Sequence, residues 1–171
     1  MEWDVTPRPA AESEVVLAQH MDVGDANLSG NVHGGVIMKL VDTAAGLAAH
    51  KHCRGRVVTV AMDEMSFLEP IFLGEVVTVR AMVNDVGRTS MEVGVRVDAE
   101  NYLGTRKVHT SSAYLVYVAL DSTGKPRPVP PLIAETAVQQ QRQREAKLRR
   151  EARLSRNEAI RKARAERGEQ A

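Results

Sequence analysis

Between residues 25 and 46 the chain reads Asp25-Ala26-Asn27-Leu28-Ser29-Gly30-Asn31-Val32-His33-Gly34-Gly35, then Val36-Ile37-Met38-Lys39-Leu40-Val41-Asp42-Thr43-Ala44-Ala45-Gly46. Two adjacent glycines stand where a periodic apolar segment begins, and a single acid lies inside that segment. Backbone N–H groups in the first turn of a helix have no intrahelical acceptor, and the helix dipole adds partial positive charge there. Gly34 and Gly35 could therefore cradle a carbonyl oxygen as it becomes an oxyanion. Asn27 and Asp42 would supply the polar chemistry. Plainer readings stand beside these: the glycines as permissive turn residues, Asn31 as a helix cap, and Asp42 on the solvent edge of the apolar stripe.

The elements that must position these residues follow from periodicity. Residues 14–21, with Val15, Val16 and Leu17, read as a first strand, and Gly24, Asn27, Gly30 and Asn31 mark an irregular approach. From 34 to 50, Ile37, Leu40, Val41, Ala44, Leu47 and Ala48 recur at three- and four-residue spacing, which predicts a helix with one buried face. After Arg54-Gly55 the period becomes two, with Val58, Val60 and Met62 on one face of a strand running to Phe67. Strands are expected over 75–86, 90–100 and 105–118, joined by the short turns Gly87-Arg88-Thr89 and 101–104. One early strand, a long helix and four consecutive strands make an α+β arrangement, an antiparallel sheet wrapped around a single helix. Its exposed edges favour pairing into a dimer with a continuous sheet.

Pro126, Pro128, Pro130 and Pro131 close the globular part. The organisation expected is an N-terminal extension over 1–13, a domain over 14–132 and a charged, helical tail over 133–171. Residues 135–171 hold 11 of the 23 Lys and Arg but only 6 of the 22 acids, leaving 12 basic against 16 acidic groups in the body. A mildly acidic body gives no reason to expect DNA, and any polyanion would meet the basic tail. That tail carries few aliphatics and reads as a solvated, partly frayed helix; packing on a neighbouring subunit or contact with RNA are its alternatives. The single cysteine, Cys53, excludes an intrachain disulfide framework and favours a reducing compartment. The start of the chain has no signal-peptide pattern, and no window is long and apolar enough to span a bilayer, so a cytoplasmic protein is expected. His20, His50, His52 and His109 form no zinc-like spacing, and no metal is expected.

Taken together, the Asp-Ala-Asn segment, the glycine pair, the acid within the helix and the strand order resemble the hotdog-fold acyl-CoA thioesterases, particularly the YciA and brain acyl-CoA hydrolase type. The resemblance covers roughly residues 14 to 132. It implies hydrolysis of broad-range, medium- to long-chain acyl-CoA to free fatty acid and CoA, with no cofactor. In such enzymes the helix acid is general base or nucleophile, and the asparagine lies across the dimer interface from it. Carried over, those roles fall to Asp42 and Asn27, with Gly34 and Gly35 at the oxyanion. A homodimer would then form two equivalent sites, and family members assemble further into tetramers or trimers of dimers. Water activated by Asp42 is the preferred route, an acyl-aspartyl intermediate the alternative.

The resemblance also places Gly87-Arg88-Thr89-Ser90 against the CoA nucleotide, where Arg88, Thr89 and Ser90 would meet phosphate oxygens; composition alone makes it a hairpin turn with a solvated arginine. Arg106 and Lys107, on the next strand, are candidates for the same positive patch. His33 is expected to shape the oxyanion loop or line the acyl pocket rather than to act as an acid or base. Asp63, Glu64 and Glu69 are assigned no role, and Cys53 is read as a packed side chain. Relatives of this fold also include dehydratases and acyl-CoA-sensing repressors. Asp42, however, lacks the histidine five residues away that the dehydratases show, and too little chain precedes the first strand for a DNA-binding segment. The competing class is a non-catalytic acyl-CoA-binding, sensor or assembly protein with a basic interaction tail.

Overall fold

The computed structural model describes residues 3–167. Its centre is helix α1, Gly34–Cys53, packed on a five-stranded antiparallel sheet. The strands are β2 (Val15–His20), β3 (Val57–Phe67), β4 (Val76–Val86), β5 (Ser90–Glu100) and β6 (Lys107–Ala119), in the order β2-β4-β5-β6-β3. A short parallel pair, β1 (Arg8–Pro9) with β7 (Leu132–Ile133), ties the start of the chain to the segment after the prolines. Helix α2 covers Ala137–Glu166. No helix among the described residues is long and apolar enough to cross a membrane.

Alternation in the strands decides the layers. Val77, Val79, Ala81 and Val83 of β4, Met91, Val93, Val95 and Val97 of β5, and Ala113, Leu115, Tyr117 and Ala119 of β6 are buried beneath α1. The helix answers with Ile37, Val41, Ala44, Ala45, Ala48 and Ala49. This alanine-rich face lets the helix backbone approach the sheet closely. Leu47, expected on that face, is exposed, and so is Met38.

Two features differ from the sequence reading. The helix begins with His33 as its N-cap rather than Asn31, since His33 Nδ1 accepts the Gly35 N–H at 2.8 Å. The tail is not a merely solvated helix: its first half docks on the outer face of the sheet. Thr136 and Gln139 start it with a capping box. Ala146 is then buried, Arg149 pairs with Glu92 at 2.7 Å and lies over the Tyr114 ring at 3.6 Å, Gln143 reaches Asp85, and Arg153 pairs with Asp63. Asp63, given no role from its sequence, thus anchors the helix. Those acids sit on outward-facing strand positions 92 and 63, far away in sequence, so helix periodicity could not reveal them. Past Arg153 every described residue of α2 is exposed.

Candidate active site

Asp42 lies on α1 eight residues after Gly34, about 12 Å along the axis, and is exposed in the single chain. Its carboxylate is nonetheless held. Oδ1 accepts from Thr59 Oγ1 at 2.9 Å and from Tyr117 hydroxyl at 2.8 Å, the latter hydroxyl lying also 3.0 Å from the Asp42 carbonyl. Burial, and then the hydrogen bond to Asp42, push the Tyr117 phenol well above its ordinary range, so it stays a proton donor. With Oδ1 occupied twice, Oδ2 is the oxygen left for a water.

Thr59 reaches Asp42 because β3 is irregular at that level, its register against β6 shifting between Thr59 and Ala61 and again between Met62 and Glu64. A bulge breaks strict alternation and re-aims side chains. Neither Thr59 nor Tyr117 was singled out in the sequence. The available signal was slight: one hydroxyl in the apolar run Val57-Val58-Thr59-Val60, and a tyrosine on the inward face of β6.

The other predicted residues gather in a different place. Asn27 Oδ1 accepts from Ser29 N–H at 2.8 Å and Asn31 N–H at 3.2 Å, and its own N–H donates to the Asn31 carbonyl at 2.7 Å. Gly30 turns the chain with φ +82°, a conformation that side chains disfavour. The loop so fixed places Asn27 on a cleft of about 330 Å³, lined also by Gly34, Ile37, Phe67, Leu68 and Ile71. Gly34 N–H has no acceptor among the described residues, whereas Gly35 N–H is engaged by His33. The helix entry therefore offers one free donor beside the Asn27 amide, not two. His33 shapes the helix start and does not line this cleft.

Within one chain, then, the sequence-predicted residues lie in two places, Asn27 with Gly34 at the mouth of α1 and Asp42, held by Thr59 and Tyr117, two turns along it. The turn Gly87-Arg88-Thr89-Ser90 is tightened by the Gly87 N–H bond to the Ser90 carbonyl at 2.8 Å, and Arg88 is exposed. Arg106 and Lys107 do not join that turn. Lys107 pairs in register with Glu100, at the far end of β5 from Ser90, about 33 Å away for a strand of this length. Both are engaged besides: Arg106 with buried Glu75 at 3.1 Å, the Pro70 carbonyl at 2.8 Å and the Phe72 ring, and Lys107 with Glu100 at 3.1 Å. The expected shared patch is thus corrected; β-pairing separates residues that lie only sixteen positions or so apart.

Among the described residues no group of three or more His, Cys, Asp or Glu is placed to hold a metal. His52 is buried at the end of α1 with Nε2 on the Pro130 carbonyl at 2.9 Å, and burial lowers its pKa. Burial likewise pushes the Cys53 thiol up, away from nucleophilic reactivity.

Comparison with known proteins agrees with this architecture. The thioesterase superfamily model matches residues 29–103. The cytosolic acyl coenzyme A thioester hydrolase of Mus musculus is 37% identical over 143 residues, 82% of this chain, and the chain spans 38% of that protein's length. An uncharacterized acyl-CoA thioester hydrolase of Bacillus subtilis, YkhA, is 38% identical over 125 residues, covering 73% of each chain. A hexameric acyl-CoA thioesterase in its apo form superposes with TM-score 0.87 at 32% identity, over 90% of this chain and 98% of the other. The acyl-CoA hydrolase of Staphylococcus aureus, solved with butyryl coenzyme A and coenzyme A, gives TM-score 0.87 at 29% identity over 95% and 99%. Structures of that hydrolase with an aspartate, an asparagine or a threonine replaced by alanine match with TM-scores of 0.86, 0.89 and 0.85. With a shared fold and this identity across most of the Bacillus relative, the chain belongs to the hotdog-fold acyl-CoA thioester hydrolases of the thioesterase superfamily.

Proposed function

We propose that the protein hydrolyses acyl-CoA thioesters to fatty acid and CoA at sites built between two copies of the chain. The observation that carries this reading is the separation, along α1, of Asn27 and Gly34 from Asp42 with Thr59 and Tyr117. A two-fold partner running antiparallel would bring its Asn27 and Gly34 opposite Asp42. The unpaired edge supports such pairing: β3 is eleven residues long and exposes Val58, Val60 and Phe67, while α1 beside it exposes Met38 and Asp42. Hexameric relatives support assembly of such dimers in threes. A cytoplasmic setting is in keeping with the mammalian relative's name.

In this mechanism Oδ2 of Asp42 takes a proton from a water whose oxygen attacks the thioester carbonyl. The new oxyanion is met by the Gly34 N–H and the Asn27 amide of the other copy. Its collapse breaks the C–S bond and expels CoA as thiolate, a good leaving group, which Asp42 then reprotonates directly or through water. Thr59 and Tyr117 hold the carboxylate in one rotamer and keep Oδ2 directed at the water. Phe67, Leu68, Ile37 and Ile71 give the cleft an apolar wall suited to a medium or long aliphatic acyl chain. The turn at Arg88, Thr89 and Ser90 is assigned to the nucleotide of CoA. No cofactor enters these steps. The same residue types, Asp, Asn and Thr, were those replaced in the Staphylococcus hydrolase.

The test is thiol release from short-, medium- and long-chain acyl-CoAs by the wild type and a folded Asp42→Asn variant. Saturable hydrolysis that collapses in the variant is expected. Tight acyl-CoA binding without thiol release from either protein would replace this reading with that of a non-catalytic acyl-CoA-binding protein.

A further inference from the structure

Arg149 and Arg153 stand one turn apart on α2 and reach the sheet at a single level. Arg149 meets Glu92 and the Tyr114 ring. Glu92 is in register with Val116 and Val116 with Ala61, while Tyr114 is in register with Glu64. Arg153 pairs with Asp63, which lies between those two β3 positions. The docked half of α2 thus grips residues 61–64 of β3 from the outer face of the sheet.

That stretch is where β3 departs from regular pairing. From Thr59 to Met65 the strand advances six residues while its partner β6 advances four, from Tyr117 to Ala113. The two extra residues are Val60 and Asp63. Each bulge shifts the alternation of side chains by one, and the two together restore it. Thr59 and Phe67 therefore both face α1. Thr59 donates to Asp42, and the Phe67 ring lies against the helix entry, 3.5 Å from where a Cβ on Gly34 would stand. Were Asp63 drawn back into the ladder, one of the two would turn to the outer face.

Arg153 is what holds Asp63 out. The Asp63 side chain is only 8% exposed; its Oδ2 is paired with the guanidinium, and its Oδ1 is shut away from solvent without a hydrogen-bond partner among the described residues. Without Arg153 this carboxylate would be a buried, unpaired charge, which the strand would relieve by moving it to water. We propose that Arg153 is a positioning residue for thioester hydrolysis: by pinning Asp63 at the second bulge of β3 it keeps Thr59 on Asp42 and Phe67 on the helix entry, so that α2 sets the catalytic geometry from the opposite face of the sheet. This rests on the acyl-CoA reading above.

The experiment is a double-mutant cycle on kcat for octanoyl-CoA in the full-length protein. Arg153→Met should lower kcat by about tenfold, as removal of the Thr59 restraint does. In a Thr59→Val background, where that restraint is already gone, the same substitution should cost no more than about twofold. Arg153→Lys, which keeps a cation for Asp63, should recover most of the loss. Arg161→Gln, on the exposed end of α2, should leave kcat unchanged. Should Arg153→Met not fold, Asp63→Ala/Arg153→Met, which leaves no unpaired charge, takes its place in the cycle. Unchanged kcat in the variant overturns the proposal, and so do losses that multiply fully in the Thr59→Val background. Hydrogen exchange supplies a readout that needs no turnover: removal of Arg153 should speed exchange across residues 59–65 as well as in α2, and acceleration confined to α2 overturns the proposal. Absence of thiol release in the wild type would refute the hydrolase reading, while the exchange pattern still judges the hold of Arg153 on β3.

Discussion

Asp42 accepts two hydrogen bonds through one oxygen, from Thr59 and Tyr117, an asymmetry that leaves Oδ2 to the water in the proposed mechanism. Removing the carboxylate by Asp42→Asn should lower kcat by about 10²- to 10⁴-fold, the range of general-base contributions, with the fold unchanged by circular dichroism. Thr59→Val and Tyr117→Phe each leave the base in place and remove one restraint, so a smaller fall of about tenfold is expected. Equal activity in Thr59→Val would show that the carboxylate needs no such support. If water attacks directly, single turnover in ¹⁸O-water with excess enzyme should place the label in the released fatty acid and none in Asp42; label in Asp42 would mark an acyl-aspartyl route. Asp42 was legible in the sequence because an acid inside an apolar helical run is costly unless it has a partner or a task. Thr59 and Tyr117 were not, because β-bulges and long-range pairing chose them.

The two helices show how differently elements announce themselves. α1 was recognisable from its apolar period, while its end is secured by contacts no local pattern contains. Arg8 and Arg127 donate to the carbonyls of His52 and Cys53, the last residues of the helix, placing two guanidiniums at the negative end of its dipole. His52 is buried among them, with its pKa held below the ordinary 6.5. The unfolded chain therefore takes up this proton first as pH falls. The contribution of neutral His52 is complete above about pH 6.5 and is lost below it. Unfolding midpoints should thus hold steady from about pH 8 to 6.5 and decline towards pH 5; a rise on acidification would contradict this assignment. α2 was legible as a helix but not as a docked one, since its partners Glu92 and Asp63 lie on strands of otherwise ordinary alternation. Glu92→Gln, which strands Arg149 in a partly buried site, should cost about 2–4 kcal/mol in urea denaturation. A double-mutant cycle with Arg149→Met should recover part of that loss; strict additivity would mean the pair is not coupled.

At the scale of the whole molecule, the sheet order, the central helix and the strand boundaries followed from period and turns, because each is set by local patterning. The division of the proposed site between two copies came instead from the family resemblance, because no local pattern contains a subunit interface. Asn27 with Gly34 and Asp42 with Thr59 occupy separate ends of two turns of α1, beside an apolar unpaired edge strand. Two copies joined along β3 would make two sites, each drawing Asn27 from one chain and Asp42 from the other. The most direct measurement is complementation. Asn27→Ala and Asp42→Asn proteins, each inactive alone, are refolded or co-expressed together and assayed for thiol release. A mixed dimer with shared sites has one site with both residues intact and one with neither, so equal mixing should restore about a quarter of wild-type activity. Activity no greater than that of the separate variants, in a sample shown to contain mixed dimers, would place the whole site within one chain and contradict the account.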